Sequence, residues 1–188
     1  MSYEIQSFDK KLLDSTREQW LGDVAEYNLM PTEVEQIFFW AENRIDYTND
    51  KNTEFSYGVF SQGSNVADAI VELVYSRLGS NNAWLKMLEL RLRPQIYVSI
   101  ENTEEIKVFH KVVEIFTACV VGVFSLTSER HKANIVKVYG RTPGLLQYLR
   151  LVASTLSNTL TNIDVTIEGR WLVFRIKSAM IKEEHLNG

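Results

Sequence analysis

At 188 residues, with 45% hydrophobic and 23% charged side chains, the chain carries enough apolar material for one substantial core and is short for two. A net charge of −4 and no cluster of Lys and Arg among exposed aromatics argue against a nucleic-acid partner, and the single cysteine rules out an internal disulfide and a cysteine-rich metal site. Met1 is not followed by a basic stretch and an apolar signal segment, so a cytoplasmic compartment is the expectation.

In chain order, Tyr3 and Ile5 alternate with polar residues as in a short strand, and Asp9 stands where a helix N-cap would. Leu13, Trp20, Val24 and Tyr27 then share a helical face, which Asn28 to Pro31 ends. Thr32 and Glu35 have capping-box spacing, and Val34, Ile37, Phe38, Ala41 and Ile45 predict a second helix. After a polar loop from Tyr47 to Glu54, "FSYGVFSQG", "NVADAIVELVYSRLG" and "AWLKMLELRLRPQI" predict three antiparallel strands. Asn102 or Thr103 can cap the next helix, with Ile106, Phe109, Val113, Phe116 and Val120 as its inward face. The apolar stretch Val112 to Leu126 within it is interrupted by Glu114, Thr117, Gly122 and Ser125, is shorter than the roughly 20 residues of a membrane span, and reads as buried. "NIVKVYG" predicts a strand, Thr142 an N-cap and Pro143 a first helical residue, followed by an apolar face of Leu145, Leu149, Val152 and Leu156. "NIDVTI" and "RWLVFRI", joined at Glu168-Gly169, predict a closing hairpin. The expectation is a single α/β (α+β) domain over residues 1–177, with a mixed, mostly antiparallel sheet covered by helices on both faces, and a polar tail over 178–188.

This order of elements, with the texture of "IVKVYGRTPGLLQYLRLVAS" and "IEGRWLVFR", resembles the GNAT-type N-acetyltransferases, including divergent members carried by bacteriophages. The resemblance implies that the strand "WLKMLELRLRP" splays from "NIVKVYG" and that the pantetheine arm of acetyl-CoA lies in the gap. Leu90, Leu92, Tyr139, Arg141 and Thr142 would then flank the cofactor. It also implies Glu89 as general base and Tyr148 as general acid toward the leaving thiolate. The family's spaced glycines, which let backbone N–H groups approach a pyrophosphate at a helix N-terminus, are missing from "RPQIYVSIENTEEIK", where Glu101, Glu104 and Glu105 stand instead.

Each candidate has a plainer alternative. Glu89, Arg91 and Arg93 alternate with Leu88, Leu90 and Leu92, so Glu89 could be one member of an ion-paired ladder, held ionised by Arg91 and Arg93. Tyr148 could be a core residue of an amphipathic helix. Arg141 could meet an anion beside the helix that Thr142 caps, or pair with a carboxylate. Cys119 reads as a buried structural thiol, and the scattered His110, His131 and His185 suggest no metal site. The missing glycines favour a non-catalytic module that holds no cofactor and binds a protein partner or a second copy of itself. An active acetyl-CoA-dependent N-acetyltransferase is the alternative. Phe38, Phe39 and Trp40 are consecutive, so one helix cannot turn all three inward, which also points to assembly.

Overall fold

The computed structural model describes residues 3–45, 51–76, 82–102, 106–157 and 161–177. The tail 178–188, the cap candidate Thr103, Glu104, Glu105 and the first half of the Tyr47 to Glu54 loop lie outside these residues, as do the side chains of Glu101, Asn102 and Ile106. The described elements are β1 (Tyr3–Ser7), α1 (Lys10–Glu26), α2 (Pro31–Glu42), β2 (Glu54–Ser61), β3 (Ala67–Ser76), β4 (Trp84–Leu92), α3 (Pro94–Asn102), α4 (Ile106–Glu129), β5 (Ile135–Tyr139), α5 (Pro143–Leu156), β6 (Ile163–Glu168) and β7 (Trp171–Ile176). They build one sheet in the order β1-β2-β3-β4-β5-β7-β6.

Tight turns force neighbours such as β2–β3 and β6–β7 to run antiparallel, whereas the long helical crossover from β4 lets β5 lie parallel to it. The expected class, a mixed, mostly antiparallel sheet with helices on both faces, is the one observed. α1 and α2 cover one face around Trp20, Phe38 and Ile70, and α4 and α5 cover the other around Leu73, Leu85, Ile115, Leu149 and Phe174. Two caps are as expected: Asp9 Oδ1 accepts from the Leu12 N–H at 2.7 Å, and the Thr142 hydroxyl accepts from the Leu145 N–H at 3.2 Å.

Four local expectations are corrected. Thr32 is no cap, because Pro31 at the first helical position starts α2 after Met30. "PQI" is not strand: Pro94 at the first helical position begins α3, a helix of nine residues that follows β4 directly. The hairpin turns at Gly169-Arg170, where Gly169 takes the left-handed φ of 62°.

The fourth correction concerns α4. Its buried side is Ile115, Ala118, Cys119, Val123 and Leu126, while Phe109 is 65% exposed. The first turns of α4 therefore overhang the sheet instead of pressing on it. Lys107–Glu129 is long and apolar enough to cross a membrane by length and composition; here it lies along the sheet, against β1 to β5.

Candidate functional site

The site begins with a defect in β4. Glu72 pairs with Glu89 and Leu73 with Met87, so Leu88 is an extra residue without a partner on β3. Such a bulge bends a strand and resets its alternation. Leu85 and Met87 face α4 before it, and after it Leu90 and Leu92 face the same way, paired with Val71 and Ala69. The parallel ladder to β5 runs from Trp84–Ile135 to Met87–Val138, ending where the bulge begins. Beyond that point β4 continues along β3 to Leu92, while β5 stops at Tyr139 and turns toward α5. The two parallel strands fork.

A cleft of about 580 Å³ fills the fork. Met87 to Leu90 and Leu92 form one wall, Val138, Tyr139, Arg141 and Thr142 the other. Phe109, Val112, Val113 and Phe116 of α4 close it above, and Gly144, Leu145 and Tyr148 bring in the start of α5. The candidate site residues from the sequence, Glu89, Leu90, Leu92, Tyr139, Arg141, Thr142 and Tyr148, all lie on this one cleft. The α4 wall and Tyr97 were missed. Their helical periodicity was legible, but periodicity alone does not tell a face that meets the sheet from one that overhangs a gap.

Glu89 is largely buried, its side chain 14% exposed, and it bonds two guanidiniums: Arg91 at 2.7 Å and, from across the fork, Arg141. Arg93 is not its partner. That guanidinium forms a two-pronged bond to Asp23, with Nε 2.6 Å from Oδ2 and Nη2 2.8 Å from Oδ1, and lies 3.7 Å from Asp68. Burial alone would raise the Asp23 carboxyl, but hydrogen bonds from Arg93 and Gln19 outweigh it and hold the group below the usual carboxylate range. Asp68 also takes the Tyr3 hydroxyl at 3.0 Å and Lys111 at 3.1 Å, tying β1 and α4 to this hub.

On the β5 side, Tyr139 packs on Trp171 at 4.8 Å, and the Arg170 guanidinium lies 5.5 Å from its ring centroid. Arg170 also donates to the Gly140 carbonyl at 2.6 and 3.0 Å. A Cβ at Gly140 would come within 3.0 Å of the Leu146 backbone, so this glycine serves the close approach of α5 to the end of β5. Tyr148 meets Phe116 edge to face at 5.7 Å, at the boundary of core and cleft.

A second groove of about 570 Å³ lies on the α1–α2 side, between Trp20, Met30, Val34 and Ile37 and the same strand β4. It shares Glu89, Leu90, Leu92 and Tyr97 with the first, so this part of β4 and α3 is the common wall of two cavities. Beside it Glu33, Glu72 and Arg91 line a smaller polar recess. Burial, then the charge of Glu89, pushes the Glu72 carboxyl up.

Cys119 is fully buried, with Sγ 3.7 Å from Met87 Sδ beneath the cleft, and burial pushes its thiol far above the ordinary range. His131 is also buried: Nε2 is 2.8 Å from the Tyr57 hydroxyl and the ring stacks on Phe55 at 4.2 Å. Both belong to the scaffold.

The chain matches no family model and no curated protein. Among solved structures it is similar to the NatC complex bound to Gag peptide and CoA, at 8% identity over 94% of this chain and 97% of that one, with a TM-score of 0.41. It is also similar to an acetyltransferase from Thermus thermophilus, at 10% identity over 92% and 96% of the two chains, with a TM-score of 0.41. A third is Arabidopsis thaliana Naa50 in complex with the bisubstrate analogue CoA-Ac-MVNAL, at 8% identity over 95% and 99%, with a TM-score of 0.36. None of the three is described as a bacteriophage protein.

Proposed function

We propose that this protein binds an acyl thioester of the acetyl-CoA type in the β4–β5 cleft and transfers the acyl group to an amine. The observation that carries the reading is the fork. Past Met87 the outer edge of β4 faces an apolar cleft of about 580 Å³ instead of a neighbouring strand. An open strand edge offers alternating N–H and C=O groups to an extended ligand, and a pantetheine arm is an extended chain of amides.

The common wall supports the chemistry. An amine held in the groove between α1, α2 and β4 would approach the thioester carbonyl past Glu89. A C–N bond forms and the C–S bond breaks. Glu89 takes the amine proton and the Tyr148 phenol gives its proton to the departing thiolate. Before Glu89 can accept, its lone pairs must be released from Arg91 or Arg141, so binding has to rearrange that pair.

The test is acetyl-CoA titrated against the full chain, read as melting temperature and as acetylation of a panel of primary amines. Ligand at ~100 times its dissociation constant stabilises by about 2.7 kcal/mol. A rise in melting temperature together with amide product is expected, and the absence of both overturns the reading. A second reading, a binding module without turnover, is favoured by the lock on Glu89 and by exposed apolar side chains such as Met30, Phe39 and Phe109. It predicts no amide product whichever amine is offered, and a dimer or a captured partner in light scattering.

A further inference from the structure

Resting on the thioester reading above, we infer that the cleft recognises its donor by the pantetheine arm and that its described residues give no grip on the nucleotide diphosphate at the end of that arm. A donor whose thioester lies at the fork and whose arm follows the open edge of β4 runs from Leu88 toward Leu92 and arrives at the first turn of α3. A helix start is ordinarily a good anion site, because its first N–H groups have no helical partner.

At α3 every such group is already used or absent. Pro94 has no N–H. The N–H of Gln95 points to Asp23 Oδ2 at 3.4 Å, and those of Ile96 and Tyr97 bond the Arg93 carbonyl at 2.9 and 3.1 Å. The anion position is thus filled by a carboxylate of this chain, 3% exposed and held by Arg93 and Gln19. An incoming phosphate would meet that negative charge. Nor do the walls offer a cation in exchange. Among the described residues, Arg141 is the one basic side chain on the cleft, and it is bonded to Glu89. Lys111, on α4, is turned to Asp68. The apolar walls that remain suit the arm and its acyl group.

The experiment compares acetyl-CoA with S-acetylpantetheine by calorimetry on the full chain. The two dissociation constants should agree within about threefold, and the acetyl-CoA affinity should stay flat between low and moderate salt. Acetyl-CoA bound more than about 30-fold tighter than S-acetylpantetheine would overturn this inference and leave the thioester reading standing. If neither ligand binds, the thioester reading fails and this inference with it. The variant Asp23→Asn gives an independent check in the same assay. With the carboxylate neutralised, Arg93 and the start of α3 should begin to favour the nucleotide, so acetyl-CoA should become several-fold tighter than S-acetylpantetheine. An unchanged ratio in a folded Asp23→Asn protein, confirmed by its circular dichroism, would count against Asp23 as the occupant of the anion position.

Discussion

Arg141, just past the end of β5, reaches across the fork to bond Glu89 on β4, so the one ion pair spanning the described cleft joins the two strands where their ladder has ended. In the proposed mechanism, Glu89 accepts a proton only once this bond or the one to Arg91 is released. The Arg141 side chain is 59% exposed, so the pair adds little to stability, and Arg141→Ala should cost less than about 1 kcal/mol in urea unfolding. Glu89→Gln should lower amine acetylation by roughly 10²-fold or more while the acetyl-CoA dissociation constant moves by less than about threefold. Full activity in Glu89→Gln would remove it from the chemistry.

Asp23 and Arg93 are nearly buried together, with side chains 3% and 16% exposed. Removing one member of such a pair strands the other charge. Asp23→Ala should therefore destabilise the fold by about 3–5 kcal/mol, even though Asp68 remains to neutralise Arg93 in part. A loss under about 1 kcal/mol would mean that the hub does not hold α3 in place.

His131 gives the fold a pH dependence of defined sign. Burial, then the charge of Arg130, lowers its value from 6.5 to about 4 in the native state. Between those values the unfolded chain binds the proton and the folded one does not, so stability rises with pH across that window. The melting temperature should fall as pH drops from 6.5 toward about 4. His131→Phe, which cannot take the proton, should flatten that slope while costing a constant amount for the lost bond to Tyr57. An equal slope in the variant would assign the effect elsewhere.

Gly122 lets β1 lie against α4. A Cβ there would fall 1.9 Å from Ile5 Cγ2, far inside contact distance. Gly122→Ala should cost about 1–3 kcal/mol by overpacking, and Ile5→Ala added to it should recover part of that loss. Additive losses in the double variant would show that the two side chains do not compete for the same space.

Cys119 should resist alkylation by a membrane-impermeant maleimide in the native protein and react at once in denaturant, since it is fully buried and burial disfavours its thiolate. Native labelling at the denatured rate would require α4 to open readily.

The features legible in the chain alone are those that local chemistry controls. Period-two and period-3.6 patterns placed the strands and most helices, Asp9 and Thr142 announced their caps, and the order of elements implied a mixed, mostly antiparallel sheet. The alternation of Glu89 and Arg91 with Leu90 and Leu92 was also correct, because the bulge at Leu88 precedes all four residues. The remaining answers came from tertiary structure for a common reason: each depends on which distant groups share a space. Arg93 bonds Asp23, 70 residues away, while Glu89 takes Arg141 from beyond the crossover, and no spacing rule chooses between them. α4 could not be oriented from its own periodicity, since it carries two apolar stripes: Ile115, Cys119 and Val123 meet the core, while Phe109, Val113 and Phe116 line the cleft. The fork itself is a property of two strands together. β4 outruns β5 only because the bulge bends one and the turn at Gly140 ends the other, and a cleft appears where their hydrogen bonds stop.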